Sequence, residues 1–176
     1  METRQFKKSI PEWIIGLSLI LLVISFGIGW TRSIDTFQIQ HEVSINFINA
    51  IQLLFLSNNF LRPLLLLIAL IGFFIHRPIG WMAICTLFYF LIFDWFYIGV
   101  TSNDYNATRY SLFAAPLLLI IVANFSSFRA AYHLGKFKVV ILNLMNMGIA
   151  LTLIGLKTIL HIYVQKDMNQ IIELFK

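Results

Sequence analysis

Hydrophobic residues fill long runs of this chain, and short polar breaks separate one run from the next. A run of about 20 apolar residues can cross a bilayer as a helix. His76-Arg77-Pro78 interrupts the most apolar stretch, which is therefore predicted to form a transmembrane hairpin, with Trp81 and Trp95 near opposite interfaces. We expect an all-α, polytopic membrane protein with one domain, residues 1–176. The predicted spans, about five in number, cover residues 12–30, 61–76, 78–99, 111–125 and 138–157.

The segment 41–57 has a different pattern. Its polar residues Glu42, Asn46, Asn49 and Gln52 recur every three or four positions, and apolar residues fill the other side. This spacing predicts an amphipathic helix that is too short and too polar to span lipid. We expect it to lie in the interface or to re-enter the membrane partway. In the alternative interpretation, its polar row faces a water-filled cavity or a neighbouring copy.

The two ends of the chain bear on its orientation. Basic residues precede the first span, and that span is longer than the ~7–15-residue core of a cleaved signal peptide, which is the competing interpretation. We expect an uncleaved first span in a bacterial inner membrane, with the N-terminus in the cytoplasm. The positive-inside rule supports this orientation by a thin margin. At the other end, apolar residues recur at helical spacing over residues 158–176, which predicts an amphipathic C-terminal tail helix.

Composition agrees with a membrane protein and argues against other classes. Of the 176 residues, 59% are hydrophobic and 12% are charged, about half the usual charged share of soluble domains. The net charge is +5, but the chain has no Lys/Arg-rich run, so the lipid bilayer is the expected partner and nucleic acid is not. Cys85 is the single cysteine, and no zinc-ligand spacing exists. We therefore expect no metal site and no cofactor.

Asp94 is the best candidate for a functional residue. An ionisable side chain inside a span is costly and usually has a partner close by. Arg62 and Arg109 begin the second and fourth predicted spans, at the same predicted end of the bundle as Asp94. The favoured interpretation is an ion pair that holds helices together. The alternatives are a cation or proton site in a cavity, or a carboxylate in contact with interfacial water.

Two further groups of polar residues are candidates. Asn143 and Asn146 share one face of the last span, so they are expected to bond a neighbouring helix or, together with the polar row of segment 41–57, to line a pore. A basic patch is predicted on the cytoplasmic side, as a contact for lipid headgroups or a partner. Its members are His76, Arg77, Arg129, His133, Lys136 and Lys138.

These patterns favour a small non-enzymatic membrane protein that forms a homo-oligomer or serves as an accessory subunit of a membrane partner. A small pore is one form of such an assembly, and membrane effectors or accessories of anti-phage systems are examples of the class. The alternative is a transporter subunit that binds a small molecule or ion between its helices, near Asp94 and Trp95. A membrane-embedded enzyme is a remote alternative, because the sequence shows no nucleophile–base set and no phosphate-binding loop.

Overall fold

The protein is described by a computed structural model that covers residues 9–41, 50, 60–102 and 107–173. These residues form α-helices and no strand, so the predicted all-α class is confirmed. The predicted amphipathic segment 41–57 lies almost wholly outside the described residues. The described helices are α1 (Ile10–His41), α2 (Leu61–Phe74), α3 (Pro78–Ser102), α4 (Ala107–Ala123), α5 (Ser126–Ala131) and α6 (Lys136–Glu173).

Three of the described helices are long and apolar enough to cross a membrane. Their spans are Ile10–Ile39, Pro78–Thr101 and Lys138–Leu160. The apolar helices Leu61–Phe74 and Leu112–Ala123 are shorter. At ~1.5 Å per residue, α2 is about 21 Å long, less than the ~30 Å hydrocarbon core of a bilayer. The structure thus supports a membrane location and three membrane-spanning helices.

Helix α3 lies at the centre of the bundle. It contacts α2, α4 and α6, and α1 contacts α2, α4 and α5. Because α3 is apolar on all sides, it can bury residues against several neighbours at once. Over the most apolar 18-residue stretch of α3, 56% of the residues are buried. The corresponding shares are 11% for α1 and 22% for α6. Helix α3 is therefore the element that positions the polar side chains of the interior.

Glycine allows α2 and α3 to meet closely at their hairpin. A Cβ atom on Gly72 would lie 2.8 Å from the Gly80 carbonyl oxygen and 2.9 Å from the Ala83 Cβ. A Cβ atom on Gly80 would strike the carbonyl oxygens of Ile75 and Gly72. The short turn after Ile75 is therefore possible because neither glycine has a side chain.

The first and last long helices continue beyond the predicted membrane spans. Helix α1 continues through the polar stretch that follows Trp30 and ends at His41. No glycine or proline interrupts this stretch, and the Ser33 and Thr36 hydroxyls donate to backbone carbonyls four residues earlier. Polar side chains bonded in this way do not require the helix to end. Helix α6 likewise runs unbroken to Glu173.

Candidate functional site

Asp94 forms the centre of an ion cluster with Arg62 and Lys157. The Asp94 carboxylate is fully buried. Its Oδ2 accepts from Arg62 Nε at 2.7 Å and lies 2.6 Å from an Arg62 terminal nitrogen. Its Oδ1 accepts from Lys157 Nζ at 2.5 Å. Both carboxylate oxygens thus carry charge-assisted hydrogen bonds, the strong class of such bonds.

The three charged residues come from three helices. Arg62 lies in the first turn of α2, Asp94 lies in the C-terminal half of α3, and Lys157 lies in the middle of α6. Pro63 lies in the first turn of α2, where a proline is tolerated, so it does not prevent a helix from forming at Arg62. The Arg62 guanidinium also lies 4.9 Å from the centre of the Trp95 ring, where the ring face attracts a cation. The ion cluster therefore joins α2, α3 and α6 at one end of the bundle.

Both oxygens of the Asp94 carboxylate are engaged in the ion cluster. A buried carboxylate is costly unless it is paired and hydrogen-bonded, and Asp94 is both. Each Asp94 oxygen accepts from a cationic donor, so the charge of the carboxylate is compensated within the cluster without a metal ion. The geometry favours an ion pair that holds helices together. It disfavours the alternative interpretation of the sequence, a proton or cation site.

A second layer of polar side chains lies one to two turns from Asp94, toward the N-terminus of α3. The Tyr89 hydroxyl donates to Asn143 Oδ1 at 3.1 Å, and Asn143 Nδ2 donates to Asn124 Oδ1 at 2.9 Å. The Thr86 hydroxyl donates to Asn146 Oδ1 at 3.2 Å. Asn146 is fully buried, and its Nδ2 has no hydrogen-bond partner among the described residues. Asn143 and Asn146 therefore face the bundle interior.

The opposite end of the bundle is joined by neutral hydrogen bonds. Trp81, which is fully buried, donates its indole N–H to the Ala123 carbonyl at 2.8 Å. The Tyr132 hydroxyl donates to the Phe73 carbonyl at 3.1 Å. Burial raises the pKa of Tyr132, and the nearby Glu12 carboxylate adds to this effect. We call this region, where α2 turns into α3, the turn end.

The predicted basic patch gathers in part at the turn end. His76 stacks on Tyr132 with ring centres 5.7 Å apart, and its Nε2 lies 3.7 Å from a Glu12 carboxylate oxygen. His133 has a φ of 57°. It follows α5 in a Schellman turn, in which Leu134 N donates to the Arg129 carbonyl.

The other members of the patch are less closely joined. Arg77 and Lys138 are exposed, and Arg129 is half-buried with a buried Nε that lacks a described hydrogen-bond partner. Lys136 lies in the first turn of α6, with its side chain outside the described part of the structure.

Several predicted site residues lie beyond what the structure describes. The Arg109 backbone belongs to the first turn of α4, but its side chain is outside the described part. Asn46, Asn49 and Gln52 belong to the segment that the structure does not describe. Within the described ranges, no three His, Cys, Asp or Glu side chains lie close enough together to hold a metal ion.

A cavity of about 250 Å³ opens beside the ion cluster, between α1, α2, α3 and α4. Arg62 and Trp95 belong to its wall, together with Ser25 and otherwise apolar residues such as Ala115 and Leu119. This cavity is the described space that comes closest to Arg62. It is lined mainly by groups that would contact hydrocarbon and not water.

Sequence reasoning missed Lys157 as a partner of Asp94. Lys157 ends the last apolar run, and lysines at helix ends commonly extend to the interface. Its position at the same predicted end of the bundle as Asp94 was the signal that could have found it. The Tyr89 and Thr86 partners of the asparagines carried no such signal, because a lone hydroxyl is common in apolar helices.

Comparison of the chain with models of protein families, with curated proteins and with solved structures finds no match.

Proposed function

We propose that this chain is a non-enzymatic membrane protein that acts by assembling, as a homo-oligomer or as a subunit of a membrane complex. The observation that carries the proposal is the outer face of α6. Gly148, Thr152 and Gly155 share this face, and Cβ atoms built on either glycine meet nothing within 4 Å in the described structure. Small residues in such rows let two membrane helices approach closely.

The position of this row strengthens the argument. Asn146, Ala150 and Ile154 are buried on the packed side of α6, and at 100° per residue the row of small residues lies on the opposite side. The Thr152 hydroxyl donates to the Gly148 carbonyl at 2.9 Å, so the face needs no water. A smooth face pointing away from the bundle is suited to a second helix.

The use of the interior polar groups also supports the non-enzymatic part of the proposal. Asp94 is paired with two cations, and Asn143 bonds Tyr89 and Asn124. A pore lined by the asparagines fits the packing less well, since Asn146 is buried and bonds Thr86 of α3. A second candidate, a subunit that binds a small molecule between its helices, is favoured by the cavity beside Arg62.

Cysteine cross-linking in native membranes tests the assembly. Gly148→Cys and Gly155→Cys are expected to give oxidative dimers of the chain or cross-links to a single partner protein. Ile149→Cys is the matched control, because Ile149 is exposed but lies about 100° around α6 from Gly148. Cys85 is fully buried, so the parent protein supplies the background.

Native mass spectrometry of the purified protein gives the second readout. Oligomers or a constant partner are expected for the parent, and Gly148→Leu combined with Gly155→Leu should weaken that association. A strict monomer with no cross-link from either cysteine would overturn the proposal.

A further inference from the structure

The cavity beside the ion cluster combines an apolar wall with one charged group. Arg62 is the charged side chain among the described residues that line it, and Leu22, Leu66 and Leu119 are typical of the rest. Its volume of about 250 Å³ is close to the lower limit of ligand pockets, ~300 Å³. Such a space fits a slender hydrocarbon chain and not a broad polar solute.

The cavity opens toward the side of the bundle. Ser25 on α1 and Ala115 on α4 both line it and are exposed. Each of these residues belongs to a helix with an apolar outer surface, which includes exposed Leu21 and Leu118. An occupant can therefore enter from the bilayer between α1 and α4.

The Arg62 guanidinium retains capacity for an anion. Its Nε and one terminal nitrogen bond Asp94, and its other terminal nitrogen has no hydrogen-bond partner in the described part of the chain. The side chain is 25% exposed, and Asp94 divides its charge between Arg62 and Lys157. Arg32, also exposed, lies two turns beyond Ser25 on nearly the same side of α1 and adds positive charge at this end.

We propose that the cavity binds an anionic phospholipid of the bilayer, with one acyl chain between α1 and α4 and the phosphate on the guanidinium of Arg62. Arginine presents donors that match phosphate geometry. The apolar wall offers the acyl chain a surface of matching chemistry. The charge complementarity selects an anionic headgroup, and the lateral opening selects a lipid over a soluble anion. This inference does not depend on the proposed assembly.

Filling the cavity tests the acyl-chain half of the proposal. Ala115→Phe places a ring in the cavity, and Ala114→Phe is the matched control, because Ala114 is exposed on the same helix but is not part of the wall. Native mass spectrometry of the full chain in detergent, titrated with phosphatidylglycerol, should show binding reduced about tenfold or more by Ala115→Phe and unchanged by Ala114→Phe. Equal binding by the two variants would overturn the site.

Headgroup selection tests the phosphate half, and the parent protein alone is enough. Phosphatidylglycerol should bind about tenfold more tightly than phosphatidylcholine with the same acyl chains, because the choline cation of the latter cancels its net negative charge and is repelled by Arg62 and Arg32. Arg62→Gln should remove this preference. Equal affinity for the two lipids, or displacement of the bound lipid by millimolar glycerol phosphate, would contradict a lipid held through its headgroup.

Cross-linking through Gly148→Cys in the Ala115→Phe background separates this inference from the assembly. Unchanged cross-linking with lost lipid binding supports the lipid site as an independent property. Loss of both would show that the cavity variant disrupts the whole bundle, and it would overturn the assignment of the lipid to a separate site.

Discussion

The two ends of the bundle are held together by different interactions around the same central helix. At the turn end, α2 and α3 approach through Gly72 and Gly80, and Trp81 bonds the last carbonyl of α4. At the other end, Asp94 holds Arg62 and Lys157 in the ion cluster. The turn end depends mainly on the absence of side-chain volume and on hydrogen bonds to backbone carbonyls, with the His76–Glu12 pair beside them. The other end depends on balanced charge.

The difference determines what each end tolerates. Close packing leaves no room for added atoms, so the turn end is sensitive above all to added volume. A buried ion cluster is sensitive to the loss of one partner, since the remaining charges stay buried without compensation. Substitutions at the two ends should therefore destabilise the protein by different amounts and for different reasons.

The largest effect is expected from Asp94→Asn. The substitution keeps the side-chain shape but leaves Arg62 and Lys157 close together without an anion between them. The free energy of unfolding should fall by about 3–5 kcal/mol, measured by reversible denaturation in mixed micelles. Asp35→Asn is the matched control, because Asp35 is exposed on α1, and it should change stability by less than about 0.5 kcal/mol. Equal stability of the two variants would show that the ion cluster does not hold the helices together.

A smaller loss is expected from Gly80→Ala at the turn end. The added methyl group would strike the carbonyl oxygens of Ile75 and Gly72, so the hairpin must open. The same denaturation assay should show a loss of about 1–3 kcal/mol. Gly27→Ala on α1 serves as the control, because a Cβ atom there meets nothing within 4 Å. Equal stability of Gly80→Ala and Gly27→Ala would contradict the close approach of α2 and α3.

The smallest effect is expected from Tyr132→Phe. This change removes the hydrogen bond to the Phe73 carbonyl and should cost about 0.5–1.5 kcal/mol. Because burial raises the pKa of Tyr132, the unfolded chain ionises first as the pH rises above the ordinary value of 10.0. The stability advantage of the parent over Tyr132→Phe should therefore narrow above pH 10. Tyr110→Phe, at an exposed position, is the control and should change stability by less than about 0.5 kcal/mol.

The sequence predicts the helical class and the hairpin, because apolar runs and a His-Arg-Pro break are strong local signals. It also places Asp94 and Arg62 at the same end, since the two arms of a hairpin run in opposite directions. It stops α1 too early, at Trp30, because hydropathy detects lipid-compatible residues and not helix continuation through Ser33 and Thr36.

The remaining features depend on tertiary contacts that no local pattern contains. Whether Lys157 bends toward Asp94 or toward the interface depends on how α6 packs against α3. The burial of Trp81 depends on the end of α4, 42 positions along the chain. A buried indole N–H needs a partner, and for Trp81 the end of α4 supplies it.

A double-mutant cycle between Asp94 and Lys157 tests most directly whether the ion cluster joins α3 to α6. The free energies of unfolding of the parent, Asp94→Asn, Lys157→Met and the double variant would be measured under one set of conditions. We predict a coupling of about 1.5 kcal/mol or more, with the double variant more stable than the sum of the single losses implies. Losses that add to within about 0.5 kcal/mol would contradict the account, because residues that do not interact behave additively.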